Sequence, residues 1–309
     1  MPTQLIALRL SQPQFLLLIG TLLVLFSAPA LALPTPEITA RAAVLMNADS
    51  GEILFAKQPH TQLPPASTTK VLTALVALER LNLQERISVS ARAAAVEPSR
   101  IGLQPGEVLY AQDLLYGLLL KSGNDAAEVI AEAVGGSVPG FADLMNDRAW
   151  QLGARRSRFQ NPHGLPNEAH YSTAYDLTLI FRQAMANPLF ADIVRTRSAG
   201  LRVEASVANN QRWRMVPVYN SNRLLVSYGG VQGGKTGYTR RAKNCFVGEA
   251  NRGQVNLIVS ALGSANRKAL WKDVSAILDY GFAQYRLTRP ASPVVLNPSP
   301  TTGSFSQGD

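Results

Sequence analysis

The sequence predicts an α+β fold in which one antiparallel sheet is built from both ends of the chain. Near the start, apolar residues 42–46 and 53–56 flank the turn-forming residues 47–51, a pattern typical of a β-hairpin. Near the end, three apolar runs separated by turns predict strands at residues 231–235, 244–250 and 255–262. Helical patterns occupy the region between these parts, and they predict a second, helical lobe.

The predicted helices follow from apolar spacing and from capping residues. The run that begins at Ser67 is apolar on almost every face, so we expect it to be buried all round. We expect this helix and a closing helix to cover the sheet, with a cleft between the sheet and the helical lobe. Residues 202–216 are polar and give no clear prediction. Further helices are predicted at residues 113–120, 125–134, 141–152, 172–186 and 271–285.

The composition is that of a large globular domain with an excess of positive charge. The chain has 309 residues, of which 46% are hydrophobic, and this is enough for a substantial core. The net charge is +9, but no dense Lys/Arg tract is interleaved with aromatic residues, so a nucleic-acid partner is not favoured. Two explanations account for the positive charge equally well: peripheral association with a membrane or cell wall, and simple solubility.

Cysteine and histidine usage argues against a metal centre. Cys245 is the only cysteine in the sequence, so neither an intrachain disulfide nor a cysteine-based metal site is expected. The histidines, His60, His163 and His170, do not have the spacing of a zinc motif. We therefore expect no metal and no cofactor, and we expect His163 to order a loop.

The two ends of the chain have the composition of segments outside the folded domain. Residues 1–32 contain a basic residue, an apolar run and a small-x-small site, so they predict a signal peptide cleaved after Ala32 and export to the periplasm or cell envelope. An uncleaved anchor is the alternative. Residues 288–309 are rich in Pro and Ser and predict a disordered tail. The folded domain is expected at residues 38–287, with the helical lobe inserted at about 81–200.

Ser67 and Lys70 are the residues with the clearest chemical meaning. They are three positions apart at the start of a predicted helix, so their side chains share one face of its first turn. A serine hydroxyl becomes a good nucleophile when a base removes its proton, and a buried lysine can be that base because burial lowers its pKa. The same spacing also fits an ordinary solvated helix start, so it needs support from elsewhere in the chain.

Two later motifs supply this support. Ser122-x-Asn124 follows an apolar run, and Lys235-Thr236-Gly237 follows a glycine-rich turn. Each motif alone fits an ordinary turn or the end of a hairpin. Together, in the order S-x-x-K, S-x-N and K-T-G, they are the signature set of the serine penicillin-recognising enzymes.

Over about residues 38–285 the chain resembles low-molecular-weight penicillin-binding proteins, the serine-type D-alanyl-D-alanine carboxypeptidases. Residues 65–70, 161–165 and 171–177 are also similar to stretches of this family. The resemblance implies a β-lactamase/penicillin-binding-protein-like fold with the active site in the cleft. It also implies removal of the terminal D-Ala from peptidoglycan stem peptides through an acyl-enzyme, and acylation by β-lactam antibiotics.

The resemblance assigns roles to single residues. It implies that Ser67 is the acylated nucleophile, that Lys70 is its base, and that Ser122 relays a proton towards the leaving amine. The backbone N–H groups of Ser67 and Tyr238 are the implied oxyanion hole. The arginine that binds the terminal carboxylate in relatives is not at its usual spacing, and Arg267 is expected to replace it. The implied substrate-binding residues are Asn124, Lys235, Thr236, Gly237, Tyr238 and Arg267.

Four alternatives compete with this interpretation. A D-alanyl-D-alanine endopeptidase shares all three motifs, and a wall-binding protein could keep the fold without catalysis. A class A β-lactamase carries Ser-Asp-Asn and a deacylating Glu, whereas this chain has Gly123 in its motif and Glu168 lacks a recognisable deacylating context. Gly229, Gly234 and the two residues after it match a nucleotide-binding P-loop literally, but that loop requires a helix where this sequence predicts a turn and a strand.

Overall fold

The computed structural model describes residues 33–205 and 213–288. The elements below all belong to the compact unit that begins at Thr35. The strands are β1 (Ala42–Asn47), β2 (Ile53–Lys57), β3 (Arg86–Ser88), β4 (Val108–Tyr110), β5 (Ser198–Glu204), β6 (Trp213–Tyr219), β7 (Val231–Thr239), β8 (Lys243–Arg252) and β9 (Val255–Ser264). The helices are α1 (Lys70–Arg80), α2 (Ala91–Ala95), α3 (Ala111–Tyr116), α4 (Asn124–Gly135), α5 (Val138–Gln151), α6 (Ala174–Met185), α7 (Pro188–Arg195), α8 (Leu224–Ser227) and α9 (Arg267–Thr288).

Within the described residues, one sheet has five strands in the order β2-β1-β9-β8-β7, and every neighbouring pair is antiparallel. The N-terminal hairpin therefore pairs with the last strand of the chain, as the sequence predicts. Strand β7 lies at an edge of this sheet, so one side of its backbone is not paired with another strand. The predicted α+β class and its antiparallel sheet are confirmed.

The sheet is covered on both faces, and β1 shows how. Every residue of β1 is buried, and alternate side chains point to opposite faces. Leu45 packs in a cluster with Leu278 of α9, and Met46 packs in another cluster with Leu177 of α6. A strand buried on both faces is expected to be almost continuously apolar, and β1 is apolar from Ala42 to Met46, with the polar Asn47 only at its end.

One detail of the predicted packing is wrong. We expected the helix that follows Ser67 to cover the sheet, but α6 covers that face, and α1 packs inside the helical lobe with α4 and α5. The physical reason lies in the two sequences. Helix α1 is buried at every position from Lys70 to Ala77 and so needs neighbours on all sides, whereas α6 keeps part of its surface towards solvent and covers the sheet with its other side.

A second sheet, which the sequence analysis does not predict, has the order β3-β4-β5-β6 in the described part of the chain. Its two longer strands, β5 and β6, include both ends of the polar region 202–216, for which the sequence analysis makes no prediction. Strands β3 and β4 have three residues each, too short to show a period.

The predictions for the chain ends lie almost wholly outside the described residues. The proposed signal peptide is at residues 1–32, and all but the first residue of the proposed tail is at 289–309. Within the described ranges, no helix is both long and apolar enough to span a lipid bilayer.

Candidate active site

Ser67 lies in a tight 3₁₀ turn, Ala66–Thr69, immediately before α1. Ala66 adopts a positive φ of 49°, a conformation that residues with a side chain rarely take. A neighbouring loop holds this turn in place: a Cβ added to Gly164 would come within 1.9 Å of the Ala66 carbonyl oxygen. Only glycine fits at position 164, and its presence allows the loop to pack directly against the backbone of the turn.

Lys70 is completely buried at the start of α1 and faces Ser67. Its Nζ atom lies 2.7 Å from Asn124 Oδ1, 2.9 Å from the His163 carbonyl oxygen and 3.2 Å from Ser67 Oγ. Burial lowers the pKa of Lys70 well below its usual value, the charge of Lys235 lowers it further, and Asp125 opposes the shift. The environment therefore favours a neutral amine next to the serine hydroxyl.

These distances match the bonding capacity of a neutral amine. Such an amine has two hydrogens and one lone pair, and the two shorter contacts of Lys70 are to oxygen atoms that can only accept. The lone pair is then left for the third contact, where the Ser67 hydroxyl can donate its proton. The geometry is that of a base ready to deprotonate Ser67.

Ser122 and Asn124 enter the site from the helical lobe. A single π-helical turn, Gly117–Lys121, ends α3, and Ser122 follows in the left-handed conformation with φ 66° and ψ 36°. Asn124 begins α4, and its amide nitrogen donates to the Glu97 carbonyl oxygen, which directs its oxygen at Lys70. The carboxylate of Asp125 accepts three backbone N–H groups from residues 101–103, which fixes the loop beside the motif.

Lys235 and Thr236 face the site from the sheet edge. Lys235 is 1% exposed, and its Nζ donates to Ser122 Oγ at 3.0 Å and to the Thr236 carbonyl oxygen at 2.9 Å. Burial lowers the pKa of Lys235 to about 7. A Cβ added to Gly237 would lie 2.9 Å from the backbone nitrogen of Ser67, so the glycine of this motif lets β7 approach the nucleophile turn closely.

The three motifs line one cleft with a volume of about 390 Å³. Arg267 is the first residue of α9 and also lines this cleft, where it forms no ion pair with another described residue. Tyr238 follows Gly237 on β7, and its side chain is exposed at the cleft. The structure thus brings together all nine residues that the resemblance implied: Ser67, Lys70, Ser122, Asn124, Lys235, Thr236, Gly237, Tyr238 and Arg267.

Several residues of the site carry no motif in the sequence. Ser221 lines the cleft and shares a hydrogen bond of 2.7 Å with the Thr236 hydroxyl, and Arg223 lies nearby on the same loop. His163 Nε2 lies 3.0 Å from Glu128 Oε1, while the backbone carbonyl of His163 holds Lys70. Burial lowers the pKa of His163, and Glu128 opposes this shift. The expectation that His163 orders a loop agrees with this position.

The P-loop alternative does not fit the structure. Lys235 and Thr236 lie inside β7, which continues to Thr239 and is followed by β8. A nucleotide-binding P-loop requires a helix directly after the lysine, because the helix N-terminus binds the phosphates.

The fold and the contacts around Ser67 are those of a serine-type enzyme, with a lysine beside the serine where many serine hydrolases have a histidine. Comparisons with known proteins identify the family. Residues 29–266 match the model of the peptidase S11 family, described as D-alanyl-D-alanine carboxypeptidase. The carboxypeptidase DacB2 of Mycobacterium tuberculosis is 37% identical over 90% of this chain and 90% of its own length. The carboxypeptidase DacF of Bacillus subtilis is 35% identical over 87% of this chain and 70% of its own length.

Solved structures agree with the sequence matches. The crystal structure of a D-alanyl-D-alanine carboxypeptidase from Mycobacterium tuberculosis has 37% identity and a TM-score of 0.75, covering 82% of this chain and 95% of that one. The Streptomyces K15 DD-transpeptidase has 34% identity and a TM-score of 0.77, covering 81% of this chain and 100% of that one. The chain belongs to the D-alanyl-D-alanine carboxypeptidase family, peptidase family S11, and the resemblance predicted from its motifs is confirmed.

Proposed function

We propose that this protein is a serine D-alanyl-D-alanine carboxypeptidase that removes the terminal D-Ala from peptidoglycan stem peptides. The observation that supports this most directly is the fully buried Lys70 amine at 3.2 Å from Ser67 Oγ, with acceptors on its other two sides. A base without a carboxylate partner, beside a serine in a constrained turn, is suited to forming an acyl-enzyme.

Acylation begins with proton transfer from Ser67 Oγ to the lone pair of Lys70. The serine oxygen forms a bond to the carbonyl carbon of the penultimate residue, and the carbonyl oxygen becomes an oxyanion. The backbone N–H groups of Ser67 and Tyr238 stabilise this charge. The support for this pair is the close approach of β7 to the nucleophile turn at Gly237.

Collapse of the intermediate breaks the peptide bond, and the leaving D-Ala amine needs a proton. Ser122 gives up its hydroxyl proton and regains one from Lys235, whose Nζ lies 3.0 Å from Ser122 Oγ. The proton that Lys70 took from Ser67 passes to solvent, and Lys235 regains a proton from solvent, so that Lys70 is a free base again. Water then attacks the ester carbon, one of its protons passes to Lys70 and from there to the Ser67 oxygen, and the bond to Ser67 breaks. Ser67 recovers its proton, and the peptide leaves with a new carboxylate.

The substrate peptide lies along the edge strand β7, because an extended peptide can pair with an unpaired strand edge. Asn124 binds a substrate amide next to the nucleophile. Lys235, Thr236 and Arg267 bind the terminal carboxylate, and the free guanidinium of Arg267 in the cleft supports its part in this. The carboxylate is the feature that separates a carboxypeptidase substrate from an internal peptide bond.

The acceptor of the acyl group decides which reaction the enzyme performs. The Streptomyces K15 relative is named a D-alanyl-D-alanine carboxypeptidase as a sequence and a DD-transpeptidase as a structure. Mass spectrometry of products from a defined pentapeptide and a cross-linked muropeptide distinguishes hydrolysis from endopeptidase cleavage. Adding an amine acceptor reports transpeptidation. Loss of one D-Ala from the pentapeptide without cleavage of the cross-link is the result we expect.

Covalent labelling by penicillin tests the nucleophile. β-Lactams resemble the acyl-D-Ala-D-Ala backbone, so intact-mass analysis is expected to show one stable drug adduct, absent from Ser67→Ala. An adduct that persists in Ser67→Ala contradicts the assignment. Rapid loss of the adduct as hydrolysed drug favours the β-lactamase alternative instead.

The substrate also places the protein outside the cytoplasm, because peptidoglycan is assembled there. Residues 1–32 serve as a signal peptide in this proposal, with cleavage after Ala32. N-terminal sequencing of the protein secreted by its own host tests the cleavage site. A first residue other than Leu33 contradicts it.

A further inference from the structure

Strand β6 presents several large apolar side chains to solvent on the outward face of the second sheet, although an exposed sheet face is normally polar. Strand β6 alternates between buried and exposed residues, with Val216 and Val218 in the core. Its outward residues include Trp213, Met215 and Tyr219, whose exposed fractions are 52%, 53% and 67%. Most large apolar side chains that the described structure exposes to solvent lie on β6 or within ten residues of it.

The neighbouring strand adds small and cationic groups to this face. Met215 pairs with Arg202 across the ladder, and the Met215 methyl lies over Gly200, 2.5 Å from where a Cβ would be. The Arg202 guanidinium carbon lies 5.7 Å from the centre of the Trp213 ring. We use the name "hairpin face" for the outward residues Ser198, Gly200, Arg202, Glu204, Trp213, Met215, Pro217 and Tyr219.

The segment that carries this face is strongly basic. Residues 195–228 contain six arginines and one glutamate but no lysine or aspartate, a net charge of +5 in a chain whose total is +9. The one glutamate, Glu204, pairs with Arg86, and Arg214 pairs with Glu107. Arg197 and Arg202 form no ion pair within the described residues. Asp113 lies close enough to Arg202 for the two charges to interact, so Arg197 offers the less compensated charge to an anionic partner.

We propose that the hairpin face docks on an anionic lipid surface. Tryptophan and tyrosine are enriched at bilayer interfaces, where an apolar ring meets a polar headgroup region. Arginine next to them is attracted by anionic headgroups. The apolar side chain of Met215 at the centre of the face favours a lipid surface over a soluble anionic polymer, which offers no apolar phase.

Docking in this way places the cleft beside the bilayer. Strand β6 ends at Tyr219, and the next residues, Asn220 and Ser221, line the cleft. The inference goes beyond the proposed function and does not depend on it, because Ser67 takes no part in the docking. An inactive Ser67→Ala protein is expected to dock as the wild type does.

Tryptophan fluorescence provides a test that is local to this face. The chain has three tryptophans, Trp150, Trp213 and Trp271. The probe is a vesicle of three parts phosphatidylcholine to one part phosphatidylglycerol, with brominated acyl chains that quench a tryptophan on contact. We expect quenching in the wild type and in Trp150→Phe, and loss of most of that quenching in Trp213→Phe. Pure phosphatidylcholine vesicles are expected to quench much less.

Trp150 is a matched control for Trp213. It is 62% exposed, and Arg155 lies 4.8 Å above its ring, but it is on α5 in a different part of the fold. Quenching that disappears in Trp150→Phe but persists in Trp213→Phe overturns the proposal. So does the absence of quenching from anionic vesicles.

Charge variants complete the test. Arg197→Gln combined with Arg202→Gln is expected to weaken vesicle binding by about tenfold, since each arginine near an anionic surface adds to the attraction. Unchanged vesicle binding in this variant overturns the proposal. Binding of polyphosphate through the same arginines, without quenching by vesicles, overturns the lipid assignment in favour of an anionic polymer.

Discussion

Two serine–lysine pairs face each other across the cleft, and they differ in how their lysines are held. Lys70 lies 3.2 Å from Ser67 and has two further oxygen acceptors, one of them a backbone carbonyl. Lys235 lies 3.0 Å from Ser122 and has one further acceptor, the Thr236 carbonyl. Both amines are buried, and neither has a carboxylate within ion-pair distance among the described residues.

The difference favours different chemical roles for Lys70 and Lys235. The pKa of Lys70 is lowered by burial and also by the charge of Lys235, and both effects favour the neutral amine that can act as a base. The pKa of Lys235 is lowered by burial alone, to about 7, so it can hold or release a proton near neutral pH. One lysine is suited to accept the serine proton, and the other is suited to supply a proton or to bind a carboxylate.

The largest expected effect is that of removing the base. Lys70→Arg replaces an amine with a guanidinium that does not lose its proton, so penicillin acylation of Ser67 is expected to slow by about 10²–10⁴-fold. Acylation is measured by intact mass after timed exposure to drug.

Because Lys70 is fully buried, the larger arginine could also disturb the fold. Lys70→Met has a similar volume and no base, and it is expected to lose acylation to the same extent. Circular dichroism checks that both variants remain folded. Near-normal acylation in a folded Lys70→Met protein would show that another residue takes the proton.

The next largest effect is expected for Arg267. It tests how the side of the cleft that carries Lys235 binds the substrate. If Arg267 helps Lys235 to bind the terminal carboxylate, Arg267→Ala is expected to lower kcat/KM on D-Ala-D-Ala peptides by about one to two orders of magnitude. A C-terminally amidated peptide lacks the charge and is expected to be affected much less.

Lys268→Ala is the matched control for Arg267, because Lys268 is the next residue of α9 and does not line the cleft. Equal losses on the charged and amidated peptides in Arg267→Ala would assign the arginine to folding or positioning. No loss on either peptide would leave Lys235 and Thr236 to hold the carboxylate, and would favour endopeptidase-like specificity.

The sequence predicts more of the site than of its surroundings. Ser67, Lys70, Ser122 and Lys235 are identified by motif, because S-x-x-K, S-x-N and K-T-G occur together here in the order that is the signature of the family. The acceptor that His163 provides for Lys70 is a backbone carbonyl, which any residue carries, so no sequence signal reports it. Ser221 reaches the cleft through a loop whose sequence resembles an ordinary turn.

The fold, too, is predicted only where the sequence carries a clear signal. The N-terminal hairpin and the last three strands have clear apolar periods, and they form the sheet as predicted. In the second sheet, β3 and β4 have only three residues each, and β5 and β6 form a basic hairpin, so the sequence shows no clear alternation of apolar and polar residues there. The sheet also depends on pairing between segments that are distant in the sequence. The choice of α6 over α1 as the cover of the main sheet is likewise a tertiary effect, decided by which surfaces fit.

The last and smallest effect concerns stability, and it tests whether burial of Lys235 is costly. The folded pKa of about 7 lies below the ordinary lysine pKa of 10.5, so between these pH values the unfolded chain binds more protons than the folded one. Stability from this group therefore rises with pH across that window, and the cost is greatest below about pH 7.

Lys235→Met removes the cost of burying the charge but also removes the hydrogen bonds to Ser122 and Thr236. We expect a net gain of about 1–2 kcal/mol at pH 7, or a few degrees in Tm. This gain in stability should shrink as the pH approaches 10. The same substitution is expected to slow acylation by penicillin. Thermal unfolding at several pH values measures this, with Lys272→Met as a control at an exposed position of α9. A lower Tm in Lys235→Met that does not vary with pH would mean that the buried amine stabilises the cleft.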